Sequence, residues 1–290
     1  NQKESPQQYP ACKNQRKLQE SVTSEHCQNG GIMKKVLCFM LTLCTAAAVV
    51  SCGKSKSSDS KSVPETTAST AASTGSDDVF TNDGYTEKVM EKIKDMQVSD
   101  EPFEFKEHGE LVVPEKDEKD AELGSYYESA DGVKLYYEKN DHPRDMILTL
   151  EKYFTSYAEG DYTQYSRCVF PGYIDEMEAF LQKDYGYGMK KSFATQCSNL
   201  ASNVSGDFKV TRIKLEKTEN LADDAVEKFF ASLDKTFNKD YYSEVKKNCD
   251  KLHYVTFYVI AENSNGEEVS LITGYDIVFA EKDGRFYTFG

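Results

Sequence analysis

Tryptophan is absent from the chain, and positive charge is scarce beside negative charge. The 35 Lys and Arg residues stand against 49 Asp and Glu, which gives a formal net charge of −14. This balance argues against a nucleic-acid-binding protein, because phosphates attract a basic surface. With 7 Pro and 17 Gly in 290 residues, the chain is neither collagen-like nor of low complexity overall. Its 19 Tyr and 16 Phe are too many for a disordered chain and predict a packed core.

The most apolar segment of the sequence is also short. Val36–Ser51 carries no charge for sixteen residues, fewer than the ~20 of a helix that spans a bilayer. The basic start Met33-Lys34-Lys35 precedes it, and Val49-Val50-Ser51-Cys52 ends it. This order resembles the signal peptide and lipobox of bacterial lipoproteins. The resemblance implies a diacylglycerol on the Cys52 thiol and cleavage between Ser51 and Cys52.

The lipoprotein interpretation predicts a location at the extracytoplasmic face of a cell membrane. From Cys52 onward the chain has 29 basic and 46 acidic residues, a net charge of 29 − 46 = −17. Anionic lipid repels such a surface, so two acyl chains are expected to provide the anchor. The alternative is an ordinary signal peptide with an accidental cysteine. Neither interpretation distinguishes a Gram-positive from a Gram-negative envelope.

Five segments follow from composition. Residues 1–32 are expected to be translated upstream sequence, because Asn1 is not an initiator and Gly30-Gly31 stands where a ribosome-binding site would precede Met33; a genuine extension is the alternative. Twelve of the 24 residues in 53–76 are Ser or Thr, which predicts a flexible stalk. The predicted organisation is upstream sequence (1–32), signal peptide (33–51), lipid anchor and stalk (52–80), a small α/β extension (81–142) and an α+β domain (143–290).

The extension is weakly patterned. Thr86 could cap a short helix that places Val89, Met90, Ile93 and Met96 on one side. Short strands are predicted around 103–105, 111–113 and 125–136. Asp131-Gly132 predicts a hairpin turn within the last of these.

Helical spacing is clear from Pro143. An apolar stripe predicts a helix that begins at Pro143 and ends at Gly160, and Asp161 is expected to cap a second helix. Two further helices are predicted on either side of the break at 185–188. A strand with a bulge near Thr211-Arg212 follows, and then a helix that could continue to Cys249. The stripe of the first helix consists of Met146, Ile147, Leu150, Tyr153, Phe154 and Tyr157.

The last forty residues alternate between apolar and polar side chains. Strands are predicted at 252–261, 269–280 and 285–289, joined by Asn265-Gly266 and Asp283-Gly284. Gly274 is a candidate bend or bulge. Two tight turns predict an antiparallel meander, against which the helix around Phe229 should pack.

The segment ILTLEKYFTSYAEGDY and the terminal hairpin AEKDGRFYTFG resemble an NTF2-like domain. The resemblance implies a curved antiparallel sheet wrapped around helices, in the form of a cone with a pocket. The helical insertion 172–205 and the extension before Pro143 depart from that pattern.

Enzymes of that family place an Asp or Glu with Tyr or His inside the cone. By this resemblance Asp276 and His253, which both lie in strands, are the candidate acid–base residues. The alternatives are a structural or surface histidine at 253 and a solvent-facing carboxylate at 276. No two histidines have metal-ligand spacing, so neither a metal nor another cofactor is expected. Cys168, Cys197 and Cys249 allow at most one disulfide, and whether one forms stays open.

These features predict a membrane-anchored surface lipoprotein that binds an extracytoplasmic ligand or protein and catalyses nothing. The alternative is an envelope enzyme that uses acid–base residues in an NTF2-like pocket. Neither the ligand nor the oligomeric state follows from the sequence.

Overall fold

The computed structural model describes residues 82–216 and 222–290, which all belong to one unit. The upstream segment, the signal peptide, Cys52 and the stalk lie outside the described residues. The described part holds seven helices and six strands. The helices are α1 (Asn82–Ile93), α2 (Arg144–Glu159), α3 (Tyr162–Cys168), α4 (Tyr173–Tyr185), α5 (Met189–Asn203), α6 (Ala222–Phe237) and α7 (Tyr241–Asn248). The strands are β1 (Tyr127–Glu128), β2 (Lys134–Tyr136), β3 (Phe208–Leu215), β4 (Lys251–Asn263), β5 (Glu268–Lys282) and β6 (Arg285–Tyr287).

The six strands form one curled sheet in chain order, β1-β2-β3-β4-β5-β6. Neighbouring strands are antiparallel except β2 and β3, which run parallel with Lys134 opposite Arg212. The α+β class is confirmed, but the predicted purely antiparallel sheet is mixed. The difference arises because β2, which the sequence analysis placed in a separate extension, joins the same sheet beside a strand far away in the chain.

Local signals account for α2 and α3. Pro143 precedes α2, and Gly160 ends it in the left-handed conformation with φ 58°. The predicted apolar stripe of α2 is buried along its whole length. The Asp161 carboxylate accepts a hydrogen bond from the Gln164 backbone N–H at 2.9 Å and so caps α3 as predicted.

The C-terminal meander is also confirmed. The turns at 265–266 and 283–284 join β4, β5 and β6 in antiparallel pairing. The bulge in β3 lies between Val210 and Arg212, and Gly274 has a φ of 62° where the β4–β5 register shifts. No helix within 82–216 or 222–290 is both long and apolar enough to cross a membrane.

Four predictions from weaker patterns are wrong. Thr86 does not cap α1, because the helix begins at Asn82 and the Thr86 hydroxyl donates to the Asn82 carbonyl within it. Residues 103–105 form no strand, and 111–113 form only an isolated bridge at Val112. The last long helix does not continue to Cys249, because Asn238 adopts a φ of 52° and the Asp240 side chain caps a new helix, α7.

The core lies between the sheet and the helices. The inner face of the sheet is defined here by Val255, Phe257 and Val259, which are 1%, 4% and 0% exposed and point toward the helices. The opposite face is called the outer face. Cys168, Cys197 and Cys249 are all free thiols, so no disulfide joins them. Burial raises the pKa of all three thiols, most strongly for Cys168 and Cys197.

Candidate functional site

A cavity lies between the inner face of the sheet and helices α2 and α6. The space that the centre of a water molecule can reach is small, about 40 Å³, and the empty space among the lining residues is about 460 Å³ when the open solvent at the mouth is included. Residues 288–290 close one side of it. The lining residues are Tyr153 and Phe154 of α2, Phe229 of α6, Phe257 of β4, Tyr275, Asp276, Ile277 and Val278 of β5, and Thr288, Phe289 and Gly290.

Aromatic rings build the walls of this cavity. The Phe154 ring lies 5.4 Å from that of Phe257, which joins α2 to the sheet. The Phe229 ring lies 5.8 Å from that of Phe289, which joins α6 to the C-terminal segment. Rings at these separations and tilts make favourable contacts and fix one another in place. The cavity is therefore held open by a packed aromatic frame.

Polar groups are few among the lining residues. The Tyr153 hydroxyl accepts a hydrogen bond from the Tyr157 hydroxyl at 3.0 Å. Thr288 is 1% exposed, and its backbone N–H donates to the Cys168 carbonyl. An apolar cavity with a small number of polar groups suits a largely apolar ligand.

Asp276 borders the cavity, but its carboxylate is engaged elsewhere. Residue 276 pairs with Thr256 in the β4–β5 register, and the Thr256 hydroxyl donates to it at 2.6 Å. Because side chains alternate along a strand, Thr256 lies on the outer face, between the inner-facing residues 255 and 257. A hydrogen bond with Asp276 also helps to raise the pKa of Tyr254, after the larger effect of burial.

His253 lies on the inner face of the sheet. It pairs with Phe279, and its Nε2 lies 2.9 Å from an oxygen of the Glu281 carboxylate. The imidazole also contacts the ring of Phe286. Burial lowers the pKa of His253, and the neighbouring Glu281 opposes that effect.

The structure therefore does not bring the two candidate acid–base residues together. No register shift occurs between 251 and 257, so residues 253 and 256 point to opposite faces. Asp276 pairs with Thr256 and therefore lies on the outer face, whereas His253 lies on the inner face. His253 and Asp276 therefore do not meet across the neighbouring strands β4 and β5.

The other two described histidines have structural partners. His108 Nε2 lies 2.8 Å from the Tyr137 hydroxyl, and His142 Nε2 lies 2.9 Å from the Glu216 carbonyl oxygen. Within the two described ranges, no group of three His, Cys, Asp or Glu residues is arranged to hold a metal ion.

A buried carboxylate was missed by the sequence analysis. Glu151 of α2 is 1% exposed, and burial raises its pKa to about 7. The Ser129 hydroxyl donates to it at 2.8 Å and accepts a hydrogen bond from the Val133 N–H, which ties the β1–β2 turn to α2. Glu151 lies four residues after Ile147 and three before Phe154. This spacing could have shown that it belongs to the buried stripe.

A second missed feature is a buried ion-pair cluster on the outer face. Arg212 Nε donates to Asp120 at 2.8 Å, and Lys134 and Glu268 bond to the same pair. Asp120 and Arg212 are 5% and 8% exposed. Burial raises the pKa of Asp120, but its ion pairs with Lys134 and Arg212 outweigh burial and hold the pKa below its ordinary value.

Tyr136 lies beside this cluster. Its hydroxyl is buried and has no hydrogen-bond partner within the described residues, and burial raises its pKa to about 12. These groups join the chain segment before β1 to the sheet. They do not line the aromatic cavity.

Comparisons of the chain with protein-family models, with curated proteins and with solved structures give no match.

Proposed function

We propose that the protein is a bacterial surface lipoprotein whose globular unit is a non-catalytic, NTF2-like binding module. The observation that carries the proposal is the open cavity with walls of aromatic rings and a single carboxylate-bearing residue at its border. That carboxylate already accepts a hydrogen bond from Thr256 on the outer face. Binding an apolar ligand fits this cavity better than acid–base chemistry does.

The arrangement of elements supports the NTF2-like assignment. Helices α2 and α6 pack on the inner face of a curled sheet, and the cavity lies between them. The meander β4–β6 supplies one wall. Helices α4 and α5 and the hairpin β1–β2 are additions to that pattern.

The lining predicts the class of ligand. Seven of the eleven lining residues are Tyr, Phe or Ile, so most of the contact is with rings and methyl groups. A small, ring-containing molecule with few charges would gain from this contact without leaving buried charges unpaired. The lipid tether would hold the cavity within reach of molecules released at the membrane.

A neutral aromatic dye tests the cavity. N-phenyl-1-naphthylamine, which fluoresces in apolar surroundings, is expected to bind the isolated unit at one saturable site. The variant Ile277→Phe adds a ring at the cavity wall and should weaken binding by about tenfold. Its matched control, Ile260→Phe, adds the same ring to the outer-facing position opposite Arg212 and should bind as the parent does. Equal binding by both variants, or no saturable binding by the parent, would refute the proposal.

The envelope-enzyme alternative required an acid–base pair in the cavity. The two residues that could have formed it, His253 and Asp276, lie on opposite faces of the sheet. We therefore put forward no catalytic function.

The tether is tested separately. Cys52→Ala should abolish partitioning of the protein from cell extracts into the detergent phase of Triton X-114, because the thiol that carries the diacylglycerol is gone. Cys44→Ala removes a cysteine within the apolar run and serves as the matched control, with partitioning unchanged. Unaltered partitioning of Cys52→Ala would contradict lipidation at that residue.

A further inference from the structure

One edge of the sheet extends beyond the named strands. Residues 109–113 run antiparallel to the chain around β1. The Gly109 N–H donates to the Glu128 carbonyl at 2.8 Å, and Val112 and Tyr126 exchange hydrogen bonds of 2.8 and 3.0 Å. We call residues 109–113 the edge segment. It lies along the β1 side of the sheet, where the isolated bridge at Val112 joins it to Tyr126.

The edge segment is unusually apolar for an exposed strand. Five large apolar side chains are exposed in the described part of the chain, and three of them are consecutive here. Leu111, Val112 and Val113 are 51%, 38% and 71% exposed. Alternation should bury one face of a strand at the edge of a core. Among residues 82–216 and 222–290, neither face of this segment is covered, so packing within the described residues does not account for these three side chains.

The outward side of the edge segment carries unused backbone groups. The N–H and C=O groups of Leu111 and Val113 have no backbone partner among residues 82–216 and 222–290. Natural proteins protect such edges with lysine, proline or a covering element, because an open edge pairs with another extended chain. Here Pro114 limits the length of the edge, but no lysine lies within residues 109–113.

The charges around the edge segment favour a basic partner. Residues 110–118 contain four acidic residues and one basic residue, a net charge of 1 − 4 = −3. Glu110 and Glu115 are exposed and flank the apolar triplet on either side. A second copy would bring the same acidic flanks face to face, and like charges across an interface are costly. A basic extended chain would meet them favourably.

We propose that the edge segment is a docking site for an extended peptide segment of a partner protein, in which apolar residues are flanked by Lys or Arg. The partner would add a strand beside residues 109–113, with its backbone bonded to Leu111 and Val113. Its apolar side chains would cover the triplet, and its basic flanks would lie near Glu110 and Glu115. The site is separate from the aromatic cavity and does not depend on what the cavity binds.

The test uses the peptide Lys-Lys-Thr-Val-Thr-Val-Thr-Lys-Lys with a fluorescent label. Fluorescence anisotropy should show saturable binding to the full chain. The same peptide with alternate amides N-methylated keeps its side chains and charge but cannot pair as a strand, and it should bind at least about tenfold more weakly. A peptide with Glu in place of Lys should also bind more weakly.

Two protein variants locate the site. Val113→Lys places a charge on the edge and should weaken binding of the basic peptide by about tenfold or more. Val98→Lys changes a side chain that is 55% exposed elsewhere and serves as the matched control, with affinity unchanged. Both positions are exposed, so neither variant should impair folding.

Three results would overturn the proposal. If the N-methylated peptide binds as tightly as the unmodified peptide, binding depends on charge and not on strand pairing. Binding that survives Val113→Lys would place the site elsewhere. Self-association that Val113→Lys abolishes, without binding of the basic peptide, would assign the edge to a second copy of the chain.

Discussion

The region from α2 to β6 and the region before α2 are stabilised in different ways. In the first, large rings fill the space between sheet and helices, and Phe154, Phe230 and Phe279 are 1%, 0% and 0% exposed. In the second, apolar residues such as Ile93 and Leu135, both 0% exposed, join the same core, and buried polar contacts add to the attachment. Asp120 pairs with Arg212, and the Ser129 hydroxyl bonds to Glu151.

This difference indicates which substitutions should destabilise each region most. Burial of rings is non-directional and spreads over many neighbours, so the α2–β6 region loses stability in proportion to the volume removed. A buried polar contact depends on both partners, and removal of one leaves the other desolvated. The region before α2 should therefore respond sharply to single changes at a few polar positions and to pH.

The largest effect is expected in the aromatic core. Phe230→Ala should lower the free energy of unfolding by ~3–5 kcal/mol, because the ring is fully buried against Phe289 and Tyr242. Urea denaturation followed by circular dichroism measures the change. Phe229→Ala removes a half-buried ring at the cavity and should cost less. The same loss for both residues would contradict the assignment of Phe230 to the core.

The next effect tests the ion-pair cluster. Asp120→Ala leaves the buried Arg212 guanidinium with Glu268 as its remaining carboxylate partner and should cost about 3 kcal/mol. The loss should appear in hydrogen exchange as faster exchange of the Val112 and Tyr126 amides, which are bonded to each other. Asp117→Ala, at an exposed position in the same segment, is the control. The double variant Asp120→Ala, Arg212→Met should recover much of the loss, and failure to do so would show that the charge is not its cause.

Glu151 predicts a pH dependence of stability. Its pKa is about 7 in the folded protein, against an ordinary value of 4.5. Between these values the folded state keeps a proton that the unfolded state releases, so the free energy of unfolding falls as pH rises. Above the higher pKa, the free energy of unfolding should be about 3 kcal/mol lower than it is below the lower pKa, where both states keep the proton. Glu151→Gln should remove this slope while Glu159→Gln, at the exposed end of α2, should keep it; an unchanged slope in Glu151→Gln would contradict the prediction.

The smallest effect is expected at the surface beside Glu151. Lys152 and Asp131 form an ion pair between α2 and the β1–β2 turn, and the Asp131 side chain is 57% exposed. Lys152→Met should cost only ~0.2–1 kcal/mol, since water screens the pair. The loss should disappear in high salt. A cost that persists in high salt would show that packing of the lysine stem matters instead.

Whether a feature is made by neighbouring or by distant residues determines whether the sequence could predict it. The bounds of α2, the cap of α3, the bulge in β3 and the two turns of the meander depend on residues within a few positions of one another. Proline, glycine and the spacing of apolar residues reveal such features directly. Thr86 failed as a cap because a threonine can also lie inside a helix, where its hydroxyl donates to the carbonyl four residues earlier instead of accepting from a backbone N–H.

Features made by distant residues could not be predicted in this way. Asp120 and Arg212 are 92 positions apart, and the parallel register of β2 on β3 has no local signal. The cavity takes its walls from five separate parts of the chain. The sequence placed Asp276 and His253 in strands, but only the observed register shows that they lie on opposite faces of the sheet.

The parallel pairing of β2 with β3 also constrains the order of folding. Residues 137–207, which include four helices, separate the two strands, so closing this contact costs more chain entropy than closing the β4–β5 hairpin does. Contacts between distant segments form slowly, and those within hairpins form fast. We therefore expect the β1–β2 hairpin, although it is synthesised before the other strands, to dock last.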